Sequence, residues 1–133
     1  MLRNLFSKKP LPLTGAPAIR RLKSYSAQSG YVYQYFYEGQ RPFGAGSESG
    51  VEFVFTVSAD RKTFQPVSVL VPEAALRAWE QTHAHALSST ERYAVSKMAL
   101  IQAFDERSGP NQMRGDVKVR IADMEHIIET LGL

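Results

Sequence analysis

The fold of this chain is decided by residues 31–38, which read YVYQYFYE and lie between two glycines. Aromatic and β-branched residues favour strands, and glycines are typical of strand ends. Because successive side chains of a strand alternate between its two faces, the four tyrosines share one face. This tyrosine row consists of Tyr31, Tyr33, Tyr35 and Tyr37. The stretch therefore predicts a β-strand with one aromatic face.

Two further strands are predicted along the chain. Residues 51–58 (VEFVFTVS) alternate in the same way, and residues 67–71 (VSVLV) form a short apolar run that ends at a proline. Three consecutive strands favour an antiparallel meander. Upstream, residues 19–26 predict a weaker first strand or a continuation of an N-terminal arm. The four glycines of residues 39–50 predict a long, mobile connection between the first two strong strands.

The second half of the chain predicts helices. Pro72 and Glu73 suit the first turn of a helix that reaches about residue 86. Ser88 and Glu91 have the spacing of a capping box, in which a hydroxyl and a carboxylate each satisfy a free backbone N–H. This box predicts the start of a second helix, whose broad apolar face indicates a buried position.

A short strand and a last helix complete the prediction. Residues 117–121 (VKVRI) alternate as a strand, and apolar residues then recur at helical spacing up to Gly132, which fits a left-handed C-cap. The order of elements is strands, two helices, a strand and a helix. It predicts an α+β fold with a mainly antiparallel sheet of four to five strands and about three helices packed on one face.

Charge divides the chain into two parts. Residues 1–30 contain six basic residues and no acidic residue, whereas the rest of the chain contains ten basic and thirteen acidic residues. The prolines and the glycine of residues 7–17 disfavour helix and sheet. We therefore expect a flexible basic N-terminal arm over residues 1–17 and a single α+β domain over residues 18–133.

Composition also bounds the environment of the protein. The chain has no cysteine, which excludes disulfides, thiolate metal sites and cysteine nucleophiles. Its first ten residues lack the unbroken apolar stretch of a secretory signal. No segment has the roughly 18 consecutive apolar residues that a transmembrane helix needs. We expect a soluble, cytoplasmic protein without a membrane span.

The candidate binding surface combines the tyrosine row with two residues of the glycine-rich connection. Tyrosine is enriched in interfaces, where its ring is buried and its hydroxyl stays wet. Arg41 and Phe43 are placed to fold over a bound molecule. The predicted ligand or partner surface consists of Tyr31, Tyr33, Tyr35, Tyr37, Arg41 and Phe43. Two alternatives stay open for the row: packing beneath the helices, and stacking against RNA bases.

The histidines do not predict a metal or catalytic site. His83 and His85 lie near the end of a predicted helix, where residues two apart point about 200° apart. A third ligand, such as Glu80 or His126, would have to reach them through folding alone. Sequence patterns of serine nucleophiles and phosphate-binding loops are absent. We predict no catalytic residue, no metal site and no cofactor.

These patterns favour a non-catalytic interaction or ligand-binding module, with a homodimer or another protein partner as one form of the interaction. The first alternative is a nucleic-acid-binding protein that uses the basic arm and the tyrosine-rich strand, although the acidic body disfavours it. The second alternative is an enzyme with a pocket that only folding assembles. Neither a partner nor a reaction is specified by any motif.

Overall fold

In the computed structural model, which describes residues 11–133, five strands form one sheet and lie side by side in chain order. Their bounds are β1 Lys23–Ser26, β2 Val32–Phe43, β3 Gly50–Ser58, β4 Gln65–Pro72 and β5 Val117–Lys118. β1 to β4 pair antiparallel, and β5 pairs parallel to β4. The sheet is a four-stranded meander that is extended at one edge by a short parallel strand.

Three helices pack against one face of this sheet. They are α1 Glu73–His83, α2 Ser89–Glu106 and α3 Ile121–Leu131. β5 runs parallel to β4 because α1 and α2 carry the chain back across the sheet, as a parallel connection requires. The predicted α+β class, with a mainly antiparallel sheet and helices on one face, is confirmed.

The core lies between the helices and the aromatic face of the sheet. Alternate residues of β2, β3 and β4 point toward the helices, as period-two geometry requires. The buried members of this face are Tyr33, Tyr35, Phe53, Phe55, Val57, Val67, Val69 and Val71. Leu100 and Phe104 of α2 are fully buried against them. Full burial of one large apolar side chain stabilises the fold by about 1.5–3 kcal/mol.

β2 is longer than predicted, because a bulge lets the strand continue past Gly39. The pairing with β3 shifts register between Tyr37 and Gly39, where Gly39 has a φ of 138° that favours glycine. The predicted connection over residues 39–50 is therefore too long. Only residues 44–49 join β2 to β3, and they include a 3₁₀ turn at Gly46–Glu48.

The predicted capping box and left-handed C-cap are confirmed, whereas Pro72 is the extended N-cap residue of α1 and not its first helical residue. Ser88 Oγ accepts the N–H of Glu91 at 3.1 Å, and the Ser88 N–H donates to the Glu91 carboxylate at 2.9 Å. Gly132 closes α3 with a φ of 76°. α1 ends before residue 86, because Ala84 adopts the left-handed conformation with a φ of 48°.

Two remaining predictions concern β5 and the membrane. The strand predicted over residues 117–121 is limited to Val117–Lys118, although the Val119 N–H still donates a hydrogen bond of 2.9 Å to the carbonyl oxygen of Leu70 before α3 begins at Ile121. Within residues 11–133, no helix has both the length and the apolar character to cross a bilayer.

Candidate functional site

The chain from residue 11 to the end of β1 contacts β2 at two separate places. At one end, β1 pairs with β2 from Val32 to Tyr35. At the other end, Thr14 and Gln40 exchange two backbone hydrogen bonds of 2.8 Å. Between these contacts, residues 15–22 leave the sheet and pass over its edge. The space beneath this segment, which we call the arm cleft, has a volume of about 300 Å³.

Gly39 allows the chain to approach β2 so closely. A Cβ atom at Gly39 would lie 2.8 Å from the carbonyl oxygen of Thr14 and 3.1 Å from the Cβ of Leu13. The first distance is shorter than real Cβ contacts and the φ of Gly39 is 138°, so the contact requires glycine. The bulge of β2 thus serves a second purpose, because it places a residue without a side chain beneath Thr14.

Arg20 holds the middle of the segment against β2. Its Nη2 lies 2.9 Å from Oε1 of Glu38, and its guanidinium carbon lies 5.4 Å from the ring centroid of Phe36. Thr56 Oγ1 donates a hydrogen bond of 2.9 Å to the other carboxylate oxygen of Glu38. Because Arg20 is largely exposed, this ion pair positions the segment more than it stabilises the fold.

On the edge of β2 that faces the arm cleft, the backbone of Tyr37 has no ladder partner within the described residues. Tyr31 accepts the N–H of Ala27, and β1 pairs with the alternate residues Tyr33 and Tyr35. The backbone groups of a strand point alternately to its two edges. Tyr37 is therefore the next residue of β2 whose N–H and C=O point to the edge that pairs with β1. Within the described chain, residues 15–22 make no backbone hydrogen bond to β2. One donor and one acceptor of the sheet edge are therefore available inside the cleft.

Three tyrosines form the floor of the cleft. The rings of Tyr37 and Tyr93 are 4.8 Å apart in an edge-on arrangement, and Tyr35 lies beside them. Burial raises the pKa of Tyr37 to about 12, with a further contribution from Tyr93, and burial also raises the pKa of Tyr93. These phenols therefore stay neutral at physiological pH and act as hydrogen-bond donors.

The hydroxyl groups of this floor are not equally satisfied. Tyr37 donates a hydrogen bond of 3.2 Å to Oε1 of Gln40. Tyr35 is only 5% exposed, yet neither its hydroxyl nor that of Tyr93 makes a hydrogen bond within residues 11–133. Both hydroxyls are therefore free to donate hydrogen bonds to a group bound in the cleft.

Cationic side chains line the other side of the cleft. Ile19, which is 70% exposed, directly precedes Arg20 and Arg21 in the segment before β1, and Arg21 and Lys23 line the cleft with it. Lys97 does not line the cleft but follows Tyr93 by one turn of α2, and its pKa is lowered by burial first and by the charge of Lys23 second. The site thus combines an aromatic floor, an exposed aliphatic side chain and positive charge.

The structure divides the predicted tyrosine row. Tyr33 and Tyr35 are buried beneath α2, where Phe104 stacks on Tyr33, whereas Tyr37 is half-buried and Tyr31 is 43% exposed. Two members of the row, Tyr35 and Tyr37, line the arm cleft. Within the folded chain, only Tyr31 of the row offers a largely free ring to a protein partner.

Arg41 and Phe43 do not join the tyrosines. The bulge shifts Arg41 to the sheet face opposite the helices, since a one-residue slip moves every following side chain to the other face. There Nε and Nη2 of Arg41 each donate a hydrogen bond of 3.1 Å to Glu52. Phe43 packs beside Gly50 at the far end of β2. Neither residue lines the arm cleft.

The histidines form contacts that stabilise the helix ends. The rings of His83 and His85 lie 4.5 and 5.7 Å from the ring of Trp79, and His83 pairs with Glu125 of α3. Glu80 accepts the N–H of Leu87 at 2.6 Å. Residues 11–133 contain no group of three potential metal ligands. His126 is exposed on α3.

The sequence did not identify Ile19, Arg21, Tyr93 or Lys97 as site residues. Neither Ile19 nor Tyr93 stands in a sequence motif that indicates binding. The two residues come together only because the segment before β1 returns to β2. Comparisons with family models, with curated proteins and with solved structures found no match to this chain. The arguments for function therefore come from the geometry of the cleft.

Proposed function

We propose that the protein is a non-catalytic module that binds a small molecule in the arm cleft. The observation that carries this proposal is a cleft of about 300 Å³ with three tyrosines as its floor and the arm as its roof. Ligand sites are typically concave and mostly apolar, with a few polar groups that orient the ligand. The volume lies at the small end of the usual range, so the ligand is compact.

Two features of the arm cleft support a bound aromatic or aliphatic group. Ile19 is 70% exposed although it lies above aromatic rings, so a ligand between them would remove apolar surface from water on both sides. The free N–H and C=O of Tyr37 would then orient the ligand by hydrogen bonds. These contacts resemble those of a binding pocket with an apolar body and a few directed polar groups.

The side chains around the cleft support binding rather than catalysis. Among the described residues, its lining contains no carboxylate and no imidazole. The phenols have raised pKa values, so they are not proton acceptors at neutral pH. A general base is therefore missing from the cleft as it is built from residues 11–133.

The test uses two probes that share one body: naphthalene-2-carboxylate and its uncharged carboxamide. Titration of isotope-labelled protein, followed by amide chemical shifts, should give saturable shifts in residues 15–23, 35–37 and 93 with at least one probe. The variant Ile19→Asp should weaken binding by about ten-fold, because a charge replaces apolar contact surface.

The matched control is Ile121→Asp, which replaces an isoleucine that is 59% exposed at the start of α3, away from the cleft. This variant should bind both probes as the unmodified protein does. The proposal is overturned if neither probe gives a saturable shift at the cleft, or if both isoleucine variants lose binding equally.

Nucleic-acid binding by the tyrosine-rich strand receives less support from the fold. Tyr33 and Tyr35 lie beneath α2, so their rings cannot stack on bases without displacement of that helix. Binding of a fluorescein-labelled oligothymidine that falls steeply with rising salt would favour this alternative. Self-association also stays a prediction, which the molar mass from light scattering tests.

A further inference from the structure

Three cations at or near the arm cleft have no acidic partner within the described residues, whereas five of the nine arginines described there do. Arg20, Arg41, Arg77, Arg92 and Arg120 each lie within ion-pair distance of a carboxylate. Within the described residues, Arg21, Lys23 and Lys97 have no such partner. Three positive charges are thus concentrated on the arm, β1 and α2 around one cleft.

Lys23 lines the cleft from β1, and Lys97 lies on α2 one turn beyond Tyr93. Lys23 is the cross-strand partner of Tyr35, so both side chains lie on the helix-covered face. Lys97 follows Tyr93 by one turn of α2 and lies on the same side of that helix. The two ammonium groups repel each other, and the pKa of Lys97 is lowered by its burial and by Lys23.

The hydroxyl of Tyr35 adds a neutral donor to these charges. Tyr35 is 5% exposed and lines the cleft, and its hydroxyl makes no hydrogen bond within residues 11–133. A neutral phenol donor beside Lys23 matches a negatively charged acceptor, because charge-assisted hydrogen bonds are shorter and stronger than neutral ones. An anion there would satisfy the phenol and remove the repulsion between the lysines.

We infer that the ligand of the arm cleft is a compact organic anion. Its negatively charged group binds near Lys23, Lys97 and the hydroxyl of Tyr35, and its apolar body lies between Ile19 and the rings of Tyr37 and Tyr93. This inference rests on the proposed function and adds the charge of the ligand to it. Arg21, on the arm, attracts the anion to the opening of the cleft.

The experiment compares naphthalene-2-carboxylate with naphthalene-2-carboxamide, which have the same body and differ in charge. Dissociation constants come from chemical-shift titrations at low and at high salt. We expect the carboxylate to bind at least about ten-fold more tightly than the carboxamide at low salt. High salt should reduce this preference, because it screens charges that are partly exposed.

Two lysine variants then locate the anion. Lys97→Met keeps most of the aliphatic chain and removes the charge, and Lys23→Gln removes the charge on β1. Each should reduce the preference for the carboxylate to about three-fold or less, because the carboxylate loses more affinity than the carboxamide. The control Lys62→Gln changes an exposed lysine in the β3–β4 turn and should keep the full preference.

The outcomes separate the two proposals. Equal affinity for both probes, with shifts at the cleft, would contradict the anion and leave the binding site in place. A carboxylate preference that survives both Lys97→Met and Lys23→Gln would also overturn the inference. Absence of binding by either probe would instead remove the proposed function. Thermal unfolding of each variant shows that a lost preference does not come from a lost fold.

Discussion

The rings of Tyr33 and Phe104 stack in parallel, with centroids 4.2 Å apart and an angle of 8° between their planes. Tyr33 belongs to β2 and Phe104 to the last turn of α2, and both are fully buried. Their contact fixes α2 across the aromatic face of the sheet. It also explains why the middle of the tyrosine row belongs to the core.

Removal of the Tyr33 hydroxyl should not destabilise the protein. This hydroxyl is buried and has no hydrogen-bond partner within residues 11–133. Tyr33→Phe keeps the stacked ring and removes an unsatisfied polar group, so the free energy of unfolding should stay equal or rise by up to about 1 kcal/mol. Urea denaturation measures this change.

The matched variant Phe104→Ala should lower the free energy of unfolding by about 3–5 kcal/mol, because it removes the other stacked ring and leaves a cavity. Phe64→Ala, at a position that is 42% exposed, should cost less than about 1 kcal/mol. A loss above about 1 kcal/mol for Tyr33→Phe would show that the hydroxyl has a stabilising partner.

Substitution of Gly39 should detach the arm from β2. Gly39→Ala places a Cβ atom 2.8 Å from the carbonyl oxygen of Thr14 at a φ of 138°. The Thr14–Gln40 pair should therefore break, and trypsin should cleave after Arg20, Arg21 or Lys23 about ten-fold faster or more, because local opening exposes these bonds. Mass spectrometry of the products identifies the cleaved bonds.

Gly30→Ala provides the control for this effect. Gly30 also has a positive φ, of 95°, but a Cβ there would meet no atom within 4 Å. It should strain the turn between β1 and β2 and leave cleavage within residues 20–23 unchanged. Equal cleavage rates for Gly39→Ala and the unmodified protein would contradict the close approach of the arm to β2.

The carboxylate of Glu52 should make stability depend on pH. Hydrogen bonds from Arg41, and from Ser68 at 2.5 Å, lower the pKa of Glu52 in the folded protein, against the opposing effect of burial. A lowered folded pKa contributes stability above the unfolded pKa, and this contribution is lost as pH falls through the folded pKa. The window therefore lies below about pH 4.5, the ordinary value for this side chain.

The variant Glu52→Gln tests this dependence. It should lower the free energy of unfolding at pH 7 by about 1–2 kcal/mol, a moderate value because the pair is partly exposed. The difference from the unmodified protein should shrink in urea titrations between pH 4.5 and pH 2.5 (about two units below the unfolded pKa). Glu129→Gln, on the exposed side of α3, should show no such change. A difference that is constant with pH would mean that charge is not the cause.

A glycine at position 84 should stabilise the end of α1. Ala84 has a φ of 48°, in the left-handed region that is unfavourable for residues with a Cβ atom. Ala84→Gly should raise the free energy of unfolding by about 0.5 kcal/mol, since the relieved strain exceeds the added entropy of the unfolded chain.

Ala86→Gly serves as the comparison, because Ala86 does not have a positive φ. It should lower the free energy of unfolding by about 0.5–1 kcal/mol through unfolded-state entropy alone. Thermal and urea unfolding of both variants give these values. If both substitutions destabilise the protein to the same extent, backbone strain at Ala84 has no energetic effect.

The strands and helix ends that depend on residues close together along the chain could be predicted from the sequence alone. The alternation of residues 31–38 and 51–58 predicted two strands, the Ser88–Glu91 spacing predicted the start of α2, and Gly132 predicted the end of α3. Each of these signals acts within a few residues, because side-chain periods and capping bonds are local. The same signals were sufficient for the fold class.

The accessibility of each tyrosine and the position of the cleft could not be predicted from the sequence, because they depend on tertiary packing. The bulge at Gly39 separated Arg41 from the tyrosine row, and α2 covered Tyr33 and Tyr35. The arm cleft joins residues 15–23, residues 35–37 and Tyr93, which are far apart along the chain. No periodic pattern relates these segments, because their distance is set by the return of the arm to β2 and by the packing of α2.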